Sequence, residues 1–110
     1  MSYQHKQQSQ GEWAKKPFLE QVANIGSEVE RTISWSEKGN QEYSNKAFIR
    51  SLELFDLTLN SLTNYSQIKE IARMRETWVD FIKYSNIYKS TAKQFRDYFM
   101  QLLFAYKLLG

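Results

Sequence analysis

Phe18, Val22, Ile25, Val29 and Ile33 recur at spacings of four, three, four and four, which places one apolar stripe on a helix running from 18 to about 38. Pro17 suits its first position, because the missing N–H would be unpaired there in any case. Gly39-Asn40 supplies the stop, since both residues tolerate the left-handed conformation that helix ends favour. A second helix begins near Gln41. Its stripe, Phe48, Leu52, Phe55, Leu59 and Leu62, repeats at four, three, four and three and runs into the connection Ser61-Leu62-Thr63-Asn64. Ser66 is placed to cap a third helix whose Ile68, Ile71, Ala72, Trp78, Val79 and Ile82 share a face. A loop at Tyr84 to Lys89 follows, and then Ser90 or Thr91 as the cap of a last helix that continues to Leu109.

Connections this short make consecutive helices antiparallel neighbours. The expected fold is all-α, an antiparallel bundle of about four helices forming one domain from 13 to 110. Residues 1–12 (MSYQHKQQSQGE) carry almost no apolar side chain and cannot offset the entropy of being ordered, so they read as a disordered tail. Gly26 lies beside the first stripe. Glycine there costs about 1 kcal/mol relative to alanine, which points to a neighbouring helix at close range. Arg75 falls on the third helix's apolar face and Asp56 flanks the second helix's stripe, so the two are placed to meet as a partly buried pair.

The last helix differs from the others. After Phe99, the residues Met100, Leu102, Leu103, Phe104, Ala105, Tyr106, Leu108 and Leu109 occupy every side of the cylinder. A helix apolar all round must be covered on more than one face. In a small bundle one face goes to the core, so the rest looks toward a partner, another copy or a membrane surface. Leu103, Phe104, Tyr106 and Leu108 are the candidate contact surface, because one helix cannot turn all four toward its own core.

Chemistry narrows the reading further. The chain has no cysteine, and its single histidine is His5, in the polar tail. Disulfides and thiolate metal sites are thereby excluded. Di-iron bundles need Glu-x-x-His pairs, and Ser or Cys hydrolysis needs a histidine base, neither of which the helical region offers. Phosphate-binding loops need clustered glycines, whereas Gly11, Gly26, Gly39 and Gly110 stand singly. Carboxylates such as Glu28 and Glu30, or Glu70, Glu76 and Asp80, are interleaved with Arg31, Lys69, Arg73 and Arg75, the pattern of solvated helix faces rather than of a cation site. Neither an enzyme nor a cofactor is expected.

Net charge is +3, unevenly spread. Residues 1–17 carry three Lys against one Glu, 18–64 four basic against seven acidic, and 65–110 eight basic against four acidic. Opposite signs in successive segments can satisfy each other when the segments pack. The alternative is a nucleic-acid surface: Lys69, Arg73, Lys83, Lys89, Lys93 and Arg96 lie among Tyr84, Tyr88 and Tyr98, and such groups contact phosphates and stack on unpaired bases. The longest nearly continuous apolar run, Tyr98 to Leu109, is interrupted by Gln101 and Lys107, and a membrane-spanning helix needs about 20 residues. No membrane span and a cytoplasmic location are expected, the latter because no charged-then-apolar leader opens the chain.

The stretch Trp35-Ser-Glu-Lys-Gly39-Asn-Gln-Glu-Tyr43, with Ala47-Phe48 and Leu52-Glu53-Leu54 after it, superficially resembles a tetratricopeptide helix pair. Its spacing departs from that repeat: Tyr follows Gly by four residues rather than three, the first Ala by eight rather than about twelve, and there is no second copy. KPFLEQVANIGSEVERTISW (16–35), KGNQEYSNKAFIRSLELFDLTL (38–59) and KEIARMRETWVDF (69–81) resemble a small family of uncharacterised prokaryotic helical proteins. The segments that carry the resemblance make up about half of the chain; it implies a compact helical protein and assigns no site residues. The ending YFMQLLFAYKLLG departs from the aromatic-and-alanine ending of the family. A looser similarity is to HEPN-type helical domains, which pair with nucleotidyltransferases or cut RNA with an Arg followed a few residues later by His. Arg73, Arg75 and Arg96 have no such His, so the similarity implies only the pairing or scaffold role. The function expected is a non-catalytic protein–protein interaction module, a homodimer through its last helix. A HEPN-like nucleotidyltransferase partner or a nucleic-acid-binding module is the alternative.

Overall fold

Five helices follow one another: α1 (Gln10–Ala14), α2 (Phe18–Glu37), α3 (Gln41–Ser61), α4 (Tyr65–Lys83) and α5 (Ala92–Leu109). The structure, a computed structural model, describes residues 10–87 and 89–109, and no strand occurs among them. The fold is all-α, and α2 to α5 are the four helices the sequence predicts. Helix α1 is additional. It begins at Gln10, inside the segment read as a tail, so residues 10–12 are helical; residues 1–9 lie outside the described residues.

Local chemistry sets the boundaries. Lys38 closes α2, Gly39 adopts φ +80°, and the Asn40 and Gly39 amides donate back to the Trp35 and Ser36 carbonyls at 2.9 and 3.0 Å. This is a Schellman ending, which the glycine makes possible. Asn40 then caps α3 by accepting from the Tyr43 amide at 3.0 Å. The cap of α4 is Asn64, not Ser66: its Oδ1 accepts from the Gln67 amide at 3.0 Å. Pro17 stands at the N-cap of α2, one residue before the position expected. Thr91 caps α5 in a reciprocal box, its Oγ1 accepting from the Gln94 amide at 3.2 Å while Gln94 Oε1 accepts from the Thr91 amide at 2.9 Å.

Helix α3 is the hub, packed by α1, α2 and α4. Ser44, Ser51 and Thr58, spaced by seven, are all buried on it, and each hydroxyl bonds to a different helix. Ser44 Oγ donates to the Thr32 carbonyl of α2 at 2.8 Å. Ser51 Oγ accepts from Trp78 Nε1 of α4 at 3.0 Å, and Thr58 Oγ1 accepts from Trp13 Nε1 of α1 at 2.9 Å. Small hydroxyl side chains let two bulky indoles reach α3 while supplying the partner that a buried N–H requires. Gln21 Nε2 also donates to the Trp13 and Lys16 carbonyls, which ties the α1–α2 turn to α2.

The α2 stripe is buried as predicted at Val22, Ile25, Val29 and Ile33. On α4 the deep positions are Ile71 and Trp78, while Ala72 turns outward and is exposed. Helix α5 lies along α2. Its Phe95 and Phe99 are buried, and Phe95 meets Trp78 and Phe81 of α4 with ring centroids 5.0 and 5.2 Å apart. The close approach expected at Gly26 is between α2 and α5: a Cβ built there would lie 2.9 Å from both Cβ and Cδ1 of Phe99.

Candidate functional site

Once Phe95, Phe99 and Leu102 face inward, helical geometry decides what the rest of α5 presents. Met100, Phe104 and Leu108, four residues apart, point outward and are 63, 64 and 71% exposed. Of the four residues nominated from sequence, Phe104 and Leu108 are therefore on the open face. Leu103 is half-buried and turns toward α2, and the side chain of Tyr106 lies outside the described residues. Met100 joins Phe104 and Leu108 on the open face, as its four-residue spacing from Phe104 dictates. At 100° per residue, Lys93, Asp97, Met100, Phe104, Lys107 and Leu108 fall within an arc of about 100°. The apolar stripe thus has Asp97 near one end and Lys107 near the other.

Beside this face runs an apolar groove of about 280 Å³ between α2 and α5. Ala23, Gly26 and Ser27 form its α2 wall, and Phe99, Met100 and Leu103 its α5 wall. Gly26 sets the floor, because the missing side chain lets Phe99 press on the α2 backbone. Met100 belongs to both features, as the rim between the groove and the exposed stripe.

Arg96 closes one end of the groove. Its Nε and Nη2 each donate to Glu30 at 2.9 Å, and Nη1 and Nη2 donate to Glu37 at 3.0 and 2.9 Å. A planar guanidinium can hold two carboxylates this way, and the clamp joins α5 to α2. The Arg96 bonds hold the Glu30 carboxyl below its ordinary range; burial opposes them, and the Ser34 hydroxyl at 2.6 Å and the Arg96 charge add to the lowering. Bonding to Glu30 and then Glu37 holds the guanidinium charged further above its usual range. Tyr98, on another side of α5, has its phenol pushed up to about 12 by burial and then by the nearby Glu70 carboxylate.

The six basic residues considered for nucleic acid are distributed differently. Arg96 is saturated by its clamp, Lys93 pairs with Asp97 at 2.6 Å, and Lys83 sits 5.3 Å over the Phe48 ring and 3.5 Å from Asn45 Oδ1. Lys89 lies in the α4–α5 turn with φ +53°. Lys69 and Arg73 are exposed one turn apart on α4. Ion pairs cross between the acidic and basic segments: Arg96 with Glu30 and with Glu37, and Arg75 with Asp56 at 3.0 Å, the pairing expected of α3 and α4.

Elsewhere, Trp35 and Tyr43 pack edge to face at 4.9 Å, and Lys38 and Lys46 stand over their rings. Among the described residues, no group of three or more His, Asp or Glu is gathered to hold a metal ion, and no helix is long and apolar enough to cross a membrane. Compared with protein-family models, with curated proteins and with solved structures, the chain matches none.

Proposed function

We propose that this protein is a cytoplasmic, non-catalytic interaction module that works without a cofactor and associates with a second copy of itself through α5. The observation that carries this reading is the exposed stripe of Met100, Phe104 and Leu108. Three large apolar side chains aligned on one helix face lose contact with water only if something covers them, and their burial is favourable by about 25 cal/mol for each Å² removed.

Charge favours a second copy as the cover. In an antiparallel pairing of two α5 helices about a two-fold axis, Asp97 of each, which also holds its own Lys93 at 2.6 Å, comes opposite Lys107 of the other, and the stripe meets itself. One helix face falls short of the roughly 800 Å² per partner of a standard interface, so the dimer is expected to be weak and concentration-dependent.

Sedimentation of the protein over a concentration series tests the reading, with Phe104→Glu beside it. Mass that rises with concentration and stays monomeric in the variant supports self-association. Mass that is monomeric throughout refutes it. Salt-sensitive retention of RNA by the monomer would turn the reading toward Lys69, Arg73 and the nucleic-acid alternative.

A further inference from the structure

We infer that the groove between α2 and α5 is the socket for Phe104 of the second copy, so that each subunit gives one aromatic ring to the other's groove. This inference rests on the proposed self-association and deepens it by stating which surfaces meet. Three observations converge on it. The register that sets Asp97 against Lys107 of the copy also brings the copy's Phe104 level with Met100, which is the rim of the groove. The groove is about 280 Å³ and mainly apolar in its lining, with Ala23, Gly26 and Ser27 along one wall. That wall is made of small residues, which leaves room for a ring from outside. Finally, one helix face is too small an interface by itself, and seating each ring in a groove adds apolar area on both copies.

The groove is also held open by its own construction. Phe99 is pinned on the Gly26 backbone, and Arg96 is fixed to Glu30 and Glu37, so the walls cannot readily collapse toward each other. A preformed socket loses less on binding than one that must be ordered.

The test places a benzophenone amino acid at position 104, where the exposed ring leaves room for it, and mixes isotopically light and heavy copies so that only cross-links between copies are counted. After irradiation, mass spectrometry reads the attachment points. Cross-links from position 104 to residues 23–27 of the other copy are the expected result. Cross-links to Phe104 or Leu108 of the other copy would overturn the socket while leaving pairing through α5 intact. Absence of any cross-linked dimer, with no concentration-dependent mass in the unmodified protein, would overturn both. Ser27→Leu is a second variant. Ser27 is exposed, so leucine there fills the groove without burdening the core. It should weaken association roughly tenfold or more, as expected when an anchoring aromatic loses its pocket, with an unchanged melting temperature. Association at full strength in Ser27→Leu, alongside its loss in Phe104→Glu, would overturn the socket alone.

Discussion

Replacing Gly26 with alanine should destabilise the protein, although the same change in an unobstructed helix interior stabilises it by about 1 kcal/mol. The reason is the α2–α5 contact. A new Cβ would lie 2.9 Å from Cβ and Cδ1 of Phe99 and 3.1 Å from its Cγ, where carbon atoms in contact prefer about 3.5–4.0 Å. One of the two nearest atoms, Cβ, is at the base of the Phe99 side chain and cannot swing away, so α5 or α2 must shift. Overpacking of this kind costs about 1–3 kcal/mol. Subtracting the helix-propensity gain leaves a net loss of about 0–2 kcal/mol, and valine should cost more than alanine. Urea denaturation monitored by circular dichroism reads the difference directly. Phe99→Ala supplies the control, because it removes Cγ and Cδ1, two of the three close atoms. In that background Gly26→Ala should lose about 1 kcal/mol of its penalty, a coupling measurable by a double-mutant cycle. A Gly26→Ala protein that is more stable than the parent by about 1 kcal/mol, with no coupling to Phe99, would refute the close approach and with it the origin of the groove floor.

Other variants probe separate parts of the structure. Ser51→Ala and Thr58→Val each strand a buried indole N–H, which costs about 1–3 kcal/mol; Thr58→Val should also speed amide exchange in α1, whereas Ser51→Ala should leave α1 protected. The Arg96 clamp gives a defined acid dependence. Glu30 titrates below its ordinary value of 4.5 in the folded chain, so its contribution is complete above that pH and is lost as pH falls through the lowered value. Because Arg96, Glu30 and Glu37 keep 31, 48 and 56% of their side chains exposed, the pair is worth only about 0.5–1 kcal/mol. The stability gap between the parent and Glu30→Gln should therefore close on acidification; a gap constant down to low pH would contradict the clamp. Phe104→Glu should leave monomer stability within about 0.5 kcal/mol, since the ring is mostly in water in the single chain, and thermal melting of dilute protein checks this.

The first three long helices are legible because each carries an apolar stripe, the last because an apolar run follows the Ser90-Thr91 cap, and Gly26 because glycine beside a stripe needs a reason. Helix α1 is not. Five residues are too few to nucleate a helix alone; α1 is held by the buried Trp13 ring, its bond to Thr58, 45 positions away, and the bond from Gln21 to the Trp13 carbonyl. The sequence does not separate Asn64 from Ser66 as the cap of α4, because the two have the same capping chemistry two residues apart.

In the candidate site, an excess of apolar residues on α5 was readable, but which of them would face water depends on the rotation that Phe95 and Phe99 impose by docking. That rotation turns Leu103 into the groove and exposes Met100. Arg96 read as part of a basic patch because Glu30 and Glu37, which neutralise it, lie 66 and 59 positions earlier. The walls of the groove come from two helices that share no sequence pattern, so only their packing brings Ala23, Gly26 and Ser27 beside Met100 and Leu103.

Self-association through the outer face of α5 is tested most directly by sedimentation equilibrium of the parent protein and Phe104→Glu over one concentration series at fixed salt. The expected result is a monomer–dimer equilibrium in the parent and a monomer in the variant, both with the same circular dichroism spectrum. Identical masses for the two proteins at every concentration would contradict it.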